Sequence, residues 1–434
     1  MKGIGGEPLV ERVNVLIAGG GIIGSALAYW LAKRGVCDIQ VVDLDLAGVY
    51  ASSELNAGGA RATWWQPVNI ETCRMTLDFF RSNRALFGFR ESGYLWLYDD
   101  PDRFAVAKLK RGLQREAGLD VELLSPGEIA ENFPILDRNL DELVGATWSP
   151  RDGLVNPNAV RSFFRREAEA LGVRFSNRHY VDGVVTERIP GLTGLRRVRA
   201  VDVIEVIGGD PTDESGRLRE ILTTHRVPSG DRVRETRVSC EVVLNCLGAW
   251  SPIFSAKIGI RDVTEAVRRQ ICLVGVHPED LAAGVEPDQL GMIVDASDLY
   301  FHPEGDHFLA GFSIPEEAPG FDFDYDGKEY FEEFIWRRLA HRSSSFERCG
   351  HIRGWSGLYA VTPDCSGIAG PVPGIANLFE AHSFTGRGVM QSFGIACALS
   401  ERIVEGRYGV CDLTSLSRER FESPDRWLPE VLHI

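Results

Sequence analysis

The feature that most constrains the fold is an apolar strand that runs into a glycine turn near the start of the chain. Residues 14–24 read Asn-Val-Leu-Ile-Ala-Gly-Gly-Gly-Ile-Ile-Gly, and Asp43 ends the next apolar strand, nineteen residues after Gly24. Gly19 permits a tight turn, Gly21 lets the backbone approach a pyrophosphate, and Gly24 lets a helix pack on the sheet. The pattern predicts a βαβ unit that binds a dinucleotide, with the pyrophosphate at the helix N-terminus and a ribose hydroxyl on Asp43. A glycine-rich turn in another α/β protein is the alternative.

Length and charge limit the remaining possibilities. A chain of 434 residues is too long for one compact core and indicates two domains, which can be interleaved. The net charge of −15 disfavours nucleic acid or an anionic membrane surface as a partner, although a small anionic substrate is still compatible with a locally basic pocket.

Cysteine, histidine and apolar patterns carry further expectations. The nine cysteines show no C-x-x-C spacing, which predicts reduced thiols and a cytoplasmic location. The histidines lack metal-ligand spacing, so we expect no metal site. We expect no signal peptide and no transmembrane segment, because no apolar run approaches the roughly 18 residues that a span requires.

Three further segments have the composition of ligand-binding loops. Residues 46–66 form a long loop rich in small residues, and residues 242–251 form a buried strand that ends in a glycine turn. Residues 384–390 form another glycine loop, which opens a helix predicted to end at Glu405. A polar insertion, residues 208–231, is predicted to lie at the surface and carries no readable chemistry.

Taken in order, these motifs resemble the D-amino-acid-oxidase-type flavoproteins over nearly the whole chain. The chain is similar to the branch of sarcosine oxidase, dimethylglycine dehydrogenase and glycine oxidase, and its middle section to the FAD-dependent oxidoreductase domain-containing proteins. The matching segments are residues 19–24 with Asp43, 56–61, 152–157, 245–251, 357–359, 362–364 and 384–388.

The resemblance implies an α/β fold with non-covalent FAD as the cofactor. A Rossmann-like FAD-binding domain, with a parallel sheet and helices, would be interleaved with an α+β substrate domain built on a mixed or antiparallel sheet that faces the flavin. The FAD-binding domain would take residues 1–90, 145–260 and 350–434. The substrate domain would take residues 91–144 and 261–349.

The resemblance also implies which residues bind FAD and which act in catalysis. The cofactor-binding set is Gly19, Gly21, Ile22, Ile23, Gly24, Asp43, Ser52, Ser53, Arg61, Val181, Gly248, Trp250, Gly386, Arg387, Gly388, Val389 and Met390. The catalytic set is Arg61, Tyr300, Tyr359 and Arg387. A surface arginine is the alternative for Arg61, and core packing is the alternative for the two tyrosines.

Four positions depart from the pattern of sarcosine oxidase. Gly357 falls where that enzyme attaches FAD through a cysteine, and Arg387 replaces the histidine of a Gly-His-Gly turn. Met390 falls on the lysine that holds the substrate carboxylate, so Arg61 or Arg387 is the candidate for that task. Leu309 falls on the lysine that activates oxygen, which favours a dehydrogenase.

The resemblance implies oxidation of a primary or secondary amine, either an amino acid or an N-methyl amino acid, by hydride transfer to flavin N5. A dehydrogenase requires a separate electron acceptor. One alternative is an FAD-dependent 2-hydroxy-acid dehydrogenase on the same fold. Another is a flavin-binding subunit or assembly factor with little catalysis of its own, because fold does not fix function. The sequence leaves the substrate and the oligomeric state open.

Overall fold

A computed structural model describes residues 9–208 and 211–431, without the side chains of residues 211–215. Within these ranges, no helix has both the length and the apolar character needed to cross a membrane. The strands are β1 (Leu9–Ala18), β2 (Ile39–Val42), β3 (Gly59–Ala60), β4 (Tyr94–Tyr98), β5 (Glu122–Leu124), β6 (Gly145–Ser149), β7 (Gly153–Leu154), β8 (Arg174–Ser176), β9 (His179–Arg188), β10 (Arg196–Val206), β11 (Arg232–Asn245), β12 (Glu265–Gly275), β13 (Met292–Val294), β14 (Leu299–Glu304), β15 (His307–Phe312), β16 (Gly350–Val361), β17 (Ile368–Pro371) and β18 (Leu378–His382).

The helices alternate with these strands in the first part of the chain and also follow the last strand. They are α1 (Ile22–Lys33), α2 (Pro67–Ser82), α3 (Arg84–Phe87), α4 (Pro101–Glu116), α5 (Pro126–Asn132), α6 (Pro157–Ala170), α7 (Pro211–Thr224), α8 (Ser251–Lys257), α9 (Gly327–Tyr330), α10 (Arg337–Arg342) and α11 (Gly388–Glu405). A π-helical turn at Phe331–Trp336 joins α9 to α10.

The chain forms two compact units. Unit 1 takes the chain up to Glu54, Asn158–Ala266 and Tyr359–Pro429, and unit 2 takes Leu55–Pro157, Val267–Leu358 and the chain from Glu430 on.

Unit 1 is built on a largely parallel sheet in the order β17-β18-β11-β1-β2-β8, to which β10 and β9 add an antiparallel extension. The central strand β1 pairs in parallel with both β2 and β11. Its residues Leu16 and Ile17 are fully buried, as a strand covered on both faces requires. Helices α1 and α11 pack against each other beside this sheet. Helix α11 ends at Gly406, whose φ of +75° lies in the left-handed region that stops a helix.

Unit 2 is built on a mostly antiparallel sheet in the order β16-β12-β15-β14-β13-β4-β6-β5. One face of this sheet belongs to a hydrophobic core that includes Leu95, Ile293 and Phe301. Because side chains alternate along a strand, the opposite face carries the residues between them. We call these positions the aromatic face: Tyr94, Trp96, Tyr98, Met292, Val294, Tyr300, His302, Leu309 and Gly311.

The boundaries of the two units differ from the domain boundaries predicted from the sequence. Residues 55–90 and 145–157, assigned above to the FAD-binding domain, lie in unit 2, as do residues 350–358. The physical reason is strand pairing: β3 pairs with β7, and β6 pairs with β4 and β5. Two-residue strands such as β3 and β7 leave no periodic signal in a sequence.

The polar insertion differs from a simple surface loop. Residues 209 and 210 lie outside the described residues, but helix α7 follows them. Its residues Leu218 and Ile221 are buried in a small cluster with Leu44, Ile204 and Val206. The prediction of an exposed segment is therefore wrong for this face of the helix, because the apolar side chains at positions i and i+3 lie on one side.

Candidate active site

The glycine turn after β1 has the geometry that a dinucleotide requires. Gly19 has a φ of +102°, and a Cβ there would overlap the carbonyl group of Cys246. A Cβ on Gly24 would overlap the carbonyl oxygen of Gly19. At Gly21, by contrast, a Cβ would meet only Ser53 Oγ, at 3.4 Å, so this backbone is open on one side. The turn therefore combines two closely packed glycines with one glycine that a ligand can approach.

Polar groups surround the open side of the turn. Ser53 Oγ accepts a hydrogen bond from the Ile22 amide at the start of α1, at 3.0 Å. Asp43 Oδ2 accepts from the Gly20 amide at 2.6 Å, and Asp43 Oδ1 accepts from the Asp45 amide at 2.7 Å. Burial raises the pKa of the Asp43 carboxyl. Each Asp43 oxygen retains a second lone pair, so the carboxylate can still accept a hydrogen bond from a ribose hydroxyl.

Further residues predicted to bind FAD also lie in unit 1. Val181 is buried on β9, and the His179 amide at the start of that strand donates to the Asp43 carbonyl at 2.9 Å. Gly248 has a φ of +55° with open space beside it. The Trp250 indole N–H donates to the Leu222 carbonyl of α7 at 2.9 Å. Ser52, also predicted to bind FAD, is exposed and lies next to the buried Ser53.

The third glycine loop places Tyr359 against Gly386. A Cβ on Gly386, whose φ is +80°, would lie 2.7 Å from the Tyr359 ring, so only glycine fits. Val389 and Met390 are buried in the first turn of α11, and Gly388 opens that helix beside Ile22.

Arg387 does not lie as a substrate-facing cation. Its side chain is 0% exposed, and the guanidinium donates to the Cys365 carbonyl. The candidate role of holding a substrate carboxylate conflicts with this burial, because the side chain turns into unit 1, whereas its place beside the flavin stays a prediction.

Arg61 is enclosed by aromatic rings in unit 2. Its guanidinium carbon lies 3.5 Å from the ring centroid of Trp64, 4.7 Å from that of Trp96 and 5.3 Å from that of Tyr94. The residue is only 2% exposed, so the alternative of a surface arginine is wrong. Arg61 Nη1 also donates to the Thr63 carbonyl at 3.2 Å. Burial lowers the pKa of this guanidinium, while stacking on π faces stabilises its charge.

Asp152 fixes the backbone that follows Arg61. Its two carboxylate oxygens accept from the Ala62 amide at 2.9 Å and from Thr63 Oγ1 at 2.8 Å. Burial is the largest influence on this group and raises the pKa of Asp152 to about 6. The match at residues 152–157 gave no role for this carboxylate, although an acid before a glycine turn is a recognisable signal for such backbone bonds.

His302 is committed to the backbone on both sides of its ring. Nε2 lies 2.8 Å from the Ala57 carbonyl oxygen, and Nδ1 lies 2.9 Å from that of Pro303. The residue is 1% exposed, and desolvation lowers the pKa of its imidazole. Tyr300, two residues earlier on β14, is also buried, and a Cβ on Gly311 would overlap its phenol group. His302 therefore ties the aromatic face to the segment that carries Arg61.

One group of potential metal ligands was not visible in the sequence. Asp262, Glu380 and His382 bring their ligand atoms within 4.8 Å of one another. Arg418 forms ion pairs with both carboxylates, at 3.2 Å to Asp262 and more closely to Glu380. This guanidinium supplies the positive charge that the two buried carboxylates require.

Comparison with known proteins decides the family. The model of the family described as "DAO: FAD dependent oxidoreductase" matches residues 14–402. The chain belongs to this family. The predicted resemblance, the α/β flavoprotein fold and FAD as the family's cofactor are thereby confirmed.

Relatives and solved structures support this assignment. The chain is 30% identical over 442 residues to FAD-dependent oxidoreductase domain-containing protein 1 of Xenopus laevis, covering 96% of this chain and 84% of that protein. It is 24% identical to mitochondrial sarcosine dehydrogenase of Mus musculus, covering 98% of this chain and 44% of the relative. L-proline dehydrogenase from P. horikoshii has a similar fold, with a TM-score of 0.77, 21% identity and coverage of 95% and 99% of the two chains.

The residues of unit 1 fit FAD. A diphosphate requires close backbone approach at a helix N-terminus, which Gly21 and the start of α1 provide. Gly357 cannot form a covalent link to a flavin, in agreement with non-covalent binding. The roles of the individual residues stay predictions.

Proposed function

We propose that this member of the FAD-dependent oxidoreductase family oxidises a primary or secondary amine, either an amino acid or an N-methyl amino acid. When bound, FAD accepts the hydride that leaves the carbon next to the substrate nitrogen. The names of two similar proteins support an amine, because sarcosine and L-proline are both secondary amines with a carboxylate. We place substrate binding on the aromatic face of unit 2.

The observation that carries this choice is the hydrogen bonding of His302. Oxidation of a 2-hydroxy acid by hydride loss requires a base for the hydroxyl proton, whose removal is otherwise unfavourable. His302 is the histidine of the aromatic face, and both of its ring nitrogens lie against carbonyl oxygens. Backbone carbonyl groups therefore cover both nitrogens, so neither nitrogen is placed to accept a substrate proton. A neutral amine needs no such base, because its lone pair assists hydride loss directly.

The aromatic face favours the neutral form of an amine. Tyr94, Trp96 and Tyr300 are each at most 5% exposed, Val294 pairs with both Tyr300 and Trp96, and Leu309 lies on the next strand beyond Tyr300. Desolvation against such side chains lowers the pKa of an ammonium group and so raises the fraction of reactive amine at neutral pH. Tyrosine hydroxyl groups can then orient the nitrogen. The role of Tyr359 is less direct, since its ring packs on the Gly386 loop of unit 1.

The substrate carboxylate needs a partner other than an exposed arginine. Arg387 is held by the Cys365 carbonyl, and Arg61 is stacked between indole rings. Of the two, we propose that Arg61 contributes, through its fixed charge behind the aromatic face rather than through direct contact.

The proposed electron acceptor is a separate molecule rather than oxygen. Leu309 is 3% exposed and pairs across the sheet with His302 and Leu273, so this position presents apolar surface where sarcosine oxidase has a lysine. Without a lysine at this position, negative charge that develops on oxygen loses the cation that sarcosine oxidase provides there. We therefore propose a dehydrogenase.

An anaerobic reduction experiment tests the proposed function. The purified holoprotein is mixed with sarcosine, other N-methyl amino acids, L-proline or matched 2-hydroxy acids, and the long-wavelength absorbance band of the oxidised flavin is followed. We expect bleaching with one or more amines and none with hydroxy acids. Bleaching by hydroxy acids alone overturns the choice of amine. A yellow protein that no amine reduces favours the flavin-binding subunit or assembly factor instead.

The reaction of the reduced protein with air tests the acceptor. After reduction by an amine, the sample is opened to oxygen and the return of absorbance is timed. We expect oxygen to restore the flavin absorbance slowly and an added artificial electron acceptor to restore it rapidly. Rapid recolouring by oxygen alone contradicts the argument from Leu309.

A further inference from the structure

Helix α7 lies in the polar insertion, to which the sequence analysis assigned no function. It contacts residues that follow β2 and residues that follow β11, the two strands beside β1. Its cluster includes Leu44, directly after Asp43, and the partly buried Tyr50 and Tyr180 pack against it. At its C-terminal end, the Leu222 carbonyl accepts the Trp250 indole N–H at 2.9 Å.

A second hydrogen bond fixes the same end of α7 to β9. Tyr180 Oη donates to the His225 carbonyl at 2.7 Å. His225 has a φ of +57°, so the chain reverses directly after the helix and holds this carbonyl in place. Tyr180 is the neighbour of Val181 on β9, and β9 starts beside Asp43. The two aromatic donors therefore connect α7 to Trp250, a predicted FAD-binding residue, and to the strand of Val181, predicted beside the adenine.

The position of these loops in the sheet is the second observation. Strand β1, which leads into Gly19, lies between β2 and β11, and all three run parallel. Leu44 and Tyr50 follow β2, and Trp250 follows β11. In such sheets, ligands bind at the carboxyl ends of the strands, where neighbouring connections diverge. Helix α7 thus packs on residues that flank this point from both directions.

We propose that α7 is a retaining wall for the adenosine half of FAD. Hydrogen bonds from the Trp250 indole N–H and the Tyr180 hydroxyl to the helix fix the positions of these two side chains. The two rings and the loop after Asp43 then keep one geometry around the adenosine. Preformed walls of this kind raise ligand affinity because little ordering is left to occur on binding. The wall acts on cofactor retention and does not depend on which substrate is oxidised.

The proposal distinguishes FAD from FMN, which lacks the adenosine monophosphate half. Weakening α7 should lower affinity for FAD and leave the weaker affinity for FMN unchanged. A general loss of stability would weaken both flavins together. The comparison of the two flavins therefore separates a positioning role from a merely structural one.

The experiment uses Trp250→Phe, Tyr180→Phe and the double variant, which remove the hydrogen bonds to α7 and retain an aromatic ring at each position. FAD release from each diluted holoprotein is followed by flavin fluorescence, and apoprotein is titrated with FMN. A hydrogen bond of about 1 kcal/mol corresponds to about fivefold, so we expect about fivefold faster FAD release per single variant and about 25-fold for the double. Glu220→Gln, on the exposed side of α7, is the control and should match the wild type.

Two outcomes overturn the proposal. One is a folded double variant that releases FAD at the wild-type rate. The other is an equal loss of FAD and FMN affinity. If the double variant does not fold, the single variants decide by the same two criteria, because each retains an aromatic ring at a partly buried position.

Discussion

Substitution of His302 separates the structural role assigned to it from catalysis by a base. The Ala57 carbonyl oxygen lies 2.8 Å from His302 Nε2, whereas the Pro303 carbonyl also accepts a hydrogen bond from Arg90 Nη2 at 3.4 Å. In His302→Leu the Ala57 carbonyl loses this donor in a buried place, which costs about 1–3 kcal/mol of unfolding free energy. In His302→Gln the amide N–H₂ can still donate to Ala57, so we expect a loss nearer the lower limit.

The assay pairs stability with flavin reduction. Unfolding in urea gives the free energy for each variant, and anaerobic stopped-flow absorbance gives the limiting rate of reduction by the amine identified in the substrate screen. We expect stability to fall in the order wild type, Gln, Leu, with the limiting rate of the Gln variant within about threefold of wild type. His277→Gln, at an exposed position, is the control. Removal of a true catalytic base costs about 10²–10⁴ in rate. A Gln variant of full stability with such a loss would refute the argument against a base.

Three further outcomes follow from buried charges. Because burial raises the pKa of Asp152 to about 6, the folded state favours the protonated acid, and wild-type stability relative to Asp152→Asn should fall by about 3 kcal/mol as pH rises from about 3 to about 7. A flat pH dependence of this difference in urea unfolding contradicts it. Arg420→Ala leaves the Asp364 carboxylate without the ion pair at 2.7 Å and should lower stability by about 3–5 kcal/mol, whereas exposed Arg426→Ala should change it by less than about 0.5 kcal/mol. Arg61→Lys loses the planar stacking on the indole rings and should slow flavin reduction about tenfold or more with FAD still bound; an unchanged rate removes Arg61 from the reaction.

The opening βαβ unit was predictable because its signals are local. A continuous apolar strand, spaced glycines and an acid at the end of the next strand each follow from backbone conformation over a few residues. The structure has β1, α1 and β2 where the sequence placed them, and α11 ends at Glu405 as expected. Periodicity over a long helix is similarly local information.

The membership of the units was not predictable in the same way. Residues 55–90 join unit 2 because β3 pairs with β7, and these two-residue strands are far apart in sequence. Side-chain direction was equally hidden: Arg387 was a candidate for holding the substrate carboxylate, yet its guanidinium donates to the Cys365 carbonyl. Such contacts depend on tertiary packing, which a single sequence does not display.

The sequence of helix α7 contains the spacing of an amphipathic helix. Leu218, Ile221 and Leu222 have the i, i+3 and i+4 spacing of an apolar helix face. The polar composition of the surrounding insertion concealed it. Which residues this face would cover depends on the fold of the sheet and not on the insertion itself.

The most direct test of the central claim is the affinity of Gly21→Ala for FAD. The claim is that the open backbone at Gly21 holds the diphosphate, and a methyl group there has room in the protein, 3.4 Å from Ser53 Oγ, but takes the space of the ligand. We predict an apoprotein whose stability changes by less than about 1 kcal/mol and whose FAD affinity, measured by calorimetric titration, falls about 100-fold or more. Wild-type affinity in a folded Gly21→Ala protein would contradict the account.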